Sequence, residues 1–257
     1  VFTTRTLATY SYELNNKKAP FDNVNIRKAL NLSLDRNVIT DKVLGQGQTP
    51  TYVFTPTYIE EGHLIQQPAY SKEPMAQRNE EAIKLLEEAG YSKANPLKFT
   101  ILYNTNENHK KVAIAAASMW KANTKGLIDV KLENQEWKTY IDSRRAGRYD
   151  AARAGWNADY NQATTFGNYF LSNSSNNTAK YANPEYDKAI AESYVATDAE
   201  GRAKAYAKAE EILAKDYGIV PIFNYVNPRL VKPYVKGYSG KDPQDHIYLR
   251  NLYIIKH

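Results

Sequence analysis

Residues 7–14 alternate apolar and polar side chains around Tyr10 and Tyr12, the period of two that marks a strand. A turn at 15–20 follows, and Asp22 or Asn23 is placed to cap a helix whose apolar positions include Val24, Ile26, Ala29, Leu30, Leu32 and Leu34. A second helix is predicted over about 36–44, stopped by Gly45-Gln46-Gly47. Pro50, Pro56, Pro68 and Pro74 make 49–74 an extended, irregular excursion, and a helix over 79–89 is closed by Gly90. The pattern then becomes regular, with strands at 97–103, 128–132 and 149–154 separated by helices at 107–123 and 136–146. Such strand–helix alternation predicts an α/β fold with a mixed, largely parallel sheet flanked by helices and right-handed crossovers. A short helix at 164–171, a polar loop at 172–178, helices at 184–197 and 199–216 and a strand at 219–226 come next. Pro221 suits an edge position in that strand. Beyond Asn227 the chain is broken by Pro228, Pro233, Gly237, Gly240 and Pro243 before a last strand at 247–255. The expected division is a lobe of residues 1–226 and a tail of 227–257.

Within that pattern the stretch 149–160, YDAARAGWNADY, stands out. It sets Arg153 among Ala151, Ala152, Ala154 and Gly155, small residues that let a ligand or another backbone come close, and follows them with Trp156, Asn157 and Asp159. A buried strand rarely carries an arginine without a partner. The plain structural alternative is a core strand whose arginine reaches out of its end and whose aspartate caps a turn. In an α/β sheet ligands gather beyond the carboxyl ends of the strands, which selects 104–109 and 155–160, the same segments the chemistry selects. The binding inventory is Asp159 for a cation, Arg144, Arg153 and His109 for an anion, and Trp137, Trp156 and Tyr225 as walls.

Composition narrows the chemistry. There is no cysteine, so thiol catalysis, disulfides and cysteine zinc sites are excluded. The net charge of +6 is dispersed rather than gathered in a stripe, which argues against nucleic acid. No run approaches the roughly 18 apolar residues of a membrane helix. G-x-S-x-G, H-E-x-x-H and P-loop motifs are absent, and His63, His109, His246 and His257 have no metal-spaced partners, so no metal, cofactor or enzymatic site is expected. The chain opens on Val1 directly in strand-like sequence and is expected to be a piece of a longer protein.

Several blocks carry a resemblance. PFDNVNIRKAL at 20–30 followed by Asp35-Arg36, and NEEAIKLLEEAGY at 79–91, resemble segments shared by the peptide- and nickel-binding proteins of ABC importers. LENQEW at 132–137, ARAGWNADY at 152–160 and the end of the chain resemble the periplasmic oligopeptide-binding branch of that family, as its C-terminal half. The resemblance implies one lobe of a type II periplasmic binding protein that closes with a missing N-terminal lobe on short peptides. It also implies ABC permease subunits as partners, a periplasmic location and a monomer when intact. By position it implies Asp159 as the anchor of the peptide α-amino group. It makes Arg144, Arg153 and His109 carboxylate partners for peptides of different length. Trp137, Trp156, Tyr225, Asn157, Gly155 and Ala154 become pocket wall, Asn157 standing where relatives can carry cysteine. Tyr10 and Tyr12 fall near the expected hinge, and a lysine that some members place before Gly45 is replaced near Leu44. The tail, whose strand would join the other lobe, should lack its neighbours here. The rivals are a relative specialised for murein peptides, dipeptides or nickel, and, from other classes, a peptidase or a chaperone-like protein.

Overall fold

In the computed structural model, which describes residues 1–256, a six-stranded mixed sheet is sandwiched between two helical layers. The strands are β1 (Phe2–Leu14), β2 (Thr49–Pro50), β3 (Leu97–Asn104), β4 (Ile128–Gln135), β5 (Ala151–Asn157) and β6 (Ile219–Arg229), ordered β2-β6-β1-β5-β3-β4. The helices are α1 (Val24–Leu32), α2 (Met75–Glu88), α3 (Glu107–Asn123), α4 (Trp137–Arg145), α5 (Thr164–Gly167), α6 (Pro184–Val195) and α7 (Ala199–Lys215). The predicted βαβαβ half is present: β3 pairs parallel with both β4 and β5. The rest of the sheet is antiparallel, through β5–β1, β1–β6 and β6–β2, so parallel pairing covers only that half and not most of the sheet.

Asn23, Asn106, Asn183 and Asp198 each accept an early backbone N–H of the helix they precede, which fixes where α1, α3, α6 and α7 begin. Helix α2 starts at Met75, earlier than its apolar face announced. The segment Val38–Leu44 winds more widely than an α-helix, and the Gly45 N–H reaches the Thr40 carbonyl at 2.8 Å. Pro221 sits beside a register shift between β1 and β6, beyond the end of the short β2, so its missing N–H breaks no ladder there.

Alternation along β5 decides what each residue does. Ala151, Tyr10, Tyr12, Phe99, Ile101 and Phe223 belong to the larger core, packed with α1, α2 and α3 around the fully buried Trp120. On the other face Ala152 packs with Leu102, Tyr140 and Tyr149 under α4, and a third cluster joins Phe166, Phe170, Tyr186, Ile190, Tyr206 and Leu213 of α5, α6, α7 and their connections.

The tail departs from expectation. Residues 240–245 dock on the lobe: the Leu7 N–H bonds to the Pro243 carbonyl at 2.8 Å, Thr4 Oγ1 donates to the Gly240 carbonyl at 2.8 Å, and Arg229 and Asn227 both hold Asp245. Farther on, the last strand shrinks to β8 (Tyr253–Ile254) against β7 (Val235–Lys236), and Ile247, Leu249, Tyr253, Ile254 and Ile255 are exposed.

Candidate functional site

A cavity of about 570 Å³ opens where β5 and β6 end and β1 begins, lined in part by Trp137, Arg153, Gly155, Asn157, Tyr225 and Asp245. Its floor is Arg153. Because Arg153 pairs with Tyr12 across the β1–β5 ladder, and Gly155 with Tyr10, these side chains share one face with Tyr225. Tyr225 Oη lies 2.6 Å from Arg153 Nη2, Asn104 Oδ1 lies 3.5 Å from Nη1, and the guanidinium sits over the Tyr10 ring at 5.2 Å. Arg153 Nε is buried without a partner, and no carboxylate lies within ion-pair distance of the side chain among the described residues. Burial opposes its charge, but Tyr225, Tyr10 and Tyr140 more than offset that and hold its pKa above the ordinary arginine value. Burial in turn pushes the Tyr225 phenol up, against the pull of Arg153, so the hydroxyl stays a neutral donor and acceptor. The result is a fixed cation without a carboxylate partner beside a cavity, suited to an anionic oxygen.

Gly155 makes this arrangement possible. A Cβ there would stand 2.8 Å from Arg153 Nη2 and 3.1 Å from Tyr225 Oη, so only glycine leaves the pair room to meet in front of the strand. Gly155, Trp156 and Asn157 were expected in a loop, but β5 continues through them.

His109, capped into the start of α3, packs its ring 5.5 Å from Tyr10, beside Arg153. Burial, reinforced by the Arg153 charge, lowers its pKa from 6.5 to about 3, and Nδ1 is buried without a partner. That shift favours a neutral imidazole at His109, with one N–H to offer a carboxylate, over a second cation.

Arg144 is on the opposite side of the sheet from Arg153. Its Nη2 lies 2.9 Å from Glu13 Oε2, 3.0 Å from Thr178 Oγ1 and 3.3 Å from Tyr169 Oη, and Glu13 is fully buried. Burial disfavours the Arg144 charge, and Glu13, Tyr140 and Tyr169 override that to hold its pKa well above the ordinary value. Here Arg144 neutralises a buried acid and is not presented to the cavity. Ala154 likewise faces the other layer, opposite Ser11, and Trp156 packs edge-on against Tyr169 with Nε1 donating to the Thr165 carbonyl at 2.9 Å. Neither lines the cavity.

Asp159 is exposed at the rim, one residue past the cavity-lining Ala158, and no cation lies within ion-pair distance of it among the described residues. Trp137, 57% exposed, forms the opposite lip. The sequence reading missed the contribution of Thr6, Asn227, Pro243, Gln244 and Asp245, since nothing in the turn-rich tail signals that it folds back beside β1.

An α/β lobe with an unpaired cation at the carboxyl end of its sheet defines a solute-binding lobe of the type II periplasmic binding proteins. The chain belongs to the bacterial extracellular solute-binding proteins, family 5 (middle), matched over residues 1–178, a family of binding proteins rather than enzymes. It is 97% identical over 257 residues to the periplasmic oligopeptide-binding protein OppA of Haemophilus influenzae, covering 100% of this chain and 48% of that protein. The OppA of Salmonella typhimurium is 55% identical over 251 residues, covering 98% and 46%. Among solved structures, H. influenzae OppA in complex with RPPGFSPFR superposes with a TM-score of 0.94 at 96% identity, covering 99% of this chain and 50% of that one. The chain thus spans about half the length of the curated relatives it matches.

Proposed function

We propose that this chain is the ligand-facing lobe of a periplasmic protein that captures short peptides with little regard to their side chains and delivers them to an ABC permease. The observation that carries the proposal is the Arg153 guanidinium, held by Tyr225 and Asn104 but left without a carboxylate on the cavity floor. Its setting supports the same reading, because the chain is nearly identical to the matching half of an OppA whose structure was solved with a bound peptide. A receptor for many peptides must hold what all peptides share. Arg153 with neutral His109 supplies donors for a carboxylate, Asp159 supplies the acceptor for an α-ammonium, and the lobe opposite, from the remainder of the protein, closes over the ligand. The peptide backbone pairs as an added strand, while side chains project into wet space where bridging water replaces direct contacts. The binding lobe runs from residue 1 through β6 and takes in the docked residues 240–245, the exposed apolar residues from 247 to 255 are the part that meets the partner lobe, and the intact protein works as a periplasmic monomer.

The test is calorimetry on the full-length protein with tri-, tetra- and pentapeptides, each with a free and an amidated C-terminus. Arg153→Met should erase the preference for the free carboxylate at one length at least, a loss of about 2–5 kcal/mol for an interfacial charge pair cut on one side. If free and amidated peptides of every length lose affinity equally, Arg153 is not a carboxylate partner.

A further inference from the structure

We propose that Thr165 is the positioning residue for the peptide-ammonium anchor Asp159, an inference that rests on the anchor role proposed above. Asp159 lies just past the end of β5, where nothing in the strand ladder holds it. Its backbone is fixed instead by contacts reaching in from outside. The Asp159 N–H donates to Thr165 Oγ1 at 3.1 Å, and the Thr165 hydroxyl approaches Asp159 Oδ2 at 3.5 Å. Gln244 Nε2 meets the Asp159 carbonyl at 3.3 Å, and the Ala158 N–H bonds to the Leu7 carbonyl at 2.8 Å.

Thr165 also takes Trp156 Nε1 on its own carbonyl at 2.9 Å, so one residue grips the chain on both sides of Asn157-Ala158. It is able to do so because it is 5% exposed, at the start of α5, with its own N–H donating to the Gln162 carbonyl at 3.3 Å. The hydroxyl is thus spent on the anchor and the carbonyl on Trp156. The weak, long contact to Oδ2 orients the carboxylate without neutralising it. The carboxylate stays exposed and free of cations among the described residues, which an ammonium site requires. A carboxylate held in the bound orientation before the ligand arrives loses less freedom on binding, and the benefit reaches only ligands that use it.

The experiment measures the affinity of the full-length protein for trialanine and N-acetyl-trialanine in four forms: wild type, Thr165→Val, Thr165→Ser and Asp159→Asn. Thr165→Val removes the oxygen but keeps the branched shape and the backbone bond to Trp156. It should weaken trialanine about 5-fold, the size of one net hydrogen bond, and leave the acetylated peptide within about 2-fold. Thr165→Ser should restore wild-type discrimination. Equal weakening of both peptides by Thr165→Val, or no weakening of either, overturns the positioning role if Asp159→Asn weakens trialanine far more than the acetylated peptide. If Asp159→Asn weakens both peptides equally, the anchor role is overturned and the positioning role with it.

Discussion

Replacing Arg144 by methionine separates two readings of that residue. If it is a carboxylate ligand, the change should weaken peptides of one length and leave the fold alone. The structure supports the opposite result. Glu13 is fully buried, and its carboxylate receives Arg144 Nη2 at 2.9 Å, Tyr169 Oη at 2.7 Å and the Thr178 hydroxyl. Methionine keeps much of the Arg144 stem volume but leaves a desolvated anion with two neutral donors. Removing one partner of a buried pair costs about 3–5 kcal/mol. With a urea dependence of about 3 kcal/mol per molar for a chain of this size, the unfolding midpoint should fall by roughly 1–1.7 M. Adding Glu13→Gln should return more than half of the loss, because the amide oxygen still accepts from one hydroxyl, its NH2 can donate to the other, and no charge is left stranded. Urea titrations of the wild type, both single variants and the double variant supply the coupling energy directly. An Arg144→Met protein within 1 kcal/mol of wild type that has lost affinity for peptides of a single length would refute this argument.

Two further outcomes follow from the cavity. His109 has a folded pKa of about 3 against an ordinary 6.5, so the unfolded chain takes up its proton first as the pH falls. Its contribution to stability is complete above pH 6.5 and is lost as the pH drops toward 3; His109→Asn should flatten that part of the pH–stability curve, and an unchanged slope would contradict the assignment. Gly155→Ala should fold, since its neighbours there are flexible side-chain ends, but it should drive Arg153 and Tyr225 apart at a cost of about 1–3 kcal/mol and weaken free-carboxylate peptides, as calorimetry on the full-length protein would show.

The parts of the molecule that were legible in advance are those whose partners lie close in sequence or obey a short period. The β3–α3–β4–α4–β5 run is such a case, because apolar spacing announces each element and the crossover rule pairs them. The opening residues read as strand-like, although the apolar alternation begins only at Leu7, and Phe2–Arg5 complete β1 by pairing with residues 226–229 at the far end of β6. The end of β5 was placed too early because Gly155 resembles a break, whereas here it is a clearance for Arg153 and Tyr225. Arg144 could not be sorted from Arg153 by residue type or local context. What distinguishes them is Glu13, 131 residues upstream of Arg144, and which face of the sheet each occupies. The docking of residues 240–245 hides for the same reason, resting on Leu7, Thr4 and Arg229, with no periodic signal of its own.

The alternation along β5 has a consequence for how such a receptor can change over generations. Arg153, Gly155 and Asn157 face the cavity, while Ala152, Ala154 and Trp156 meet the opposite helical layer, so neighbouring codons answer to different constraints. Substitutions at the odd positions change the cavity lining without repacking α6 and α7, and those at the even positions repack the opposite layer without altering the cavity. A one-residue deletion at the start of the strand would do neither, since it exchanges the two sets, turning the guanidinium into the packed layer and alanines toward the cavity. Point changes are therefore open to this strand as a route to new ligands, and length changes are closed.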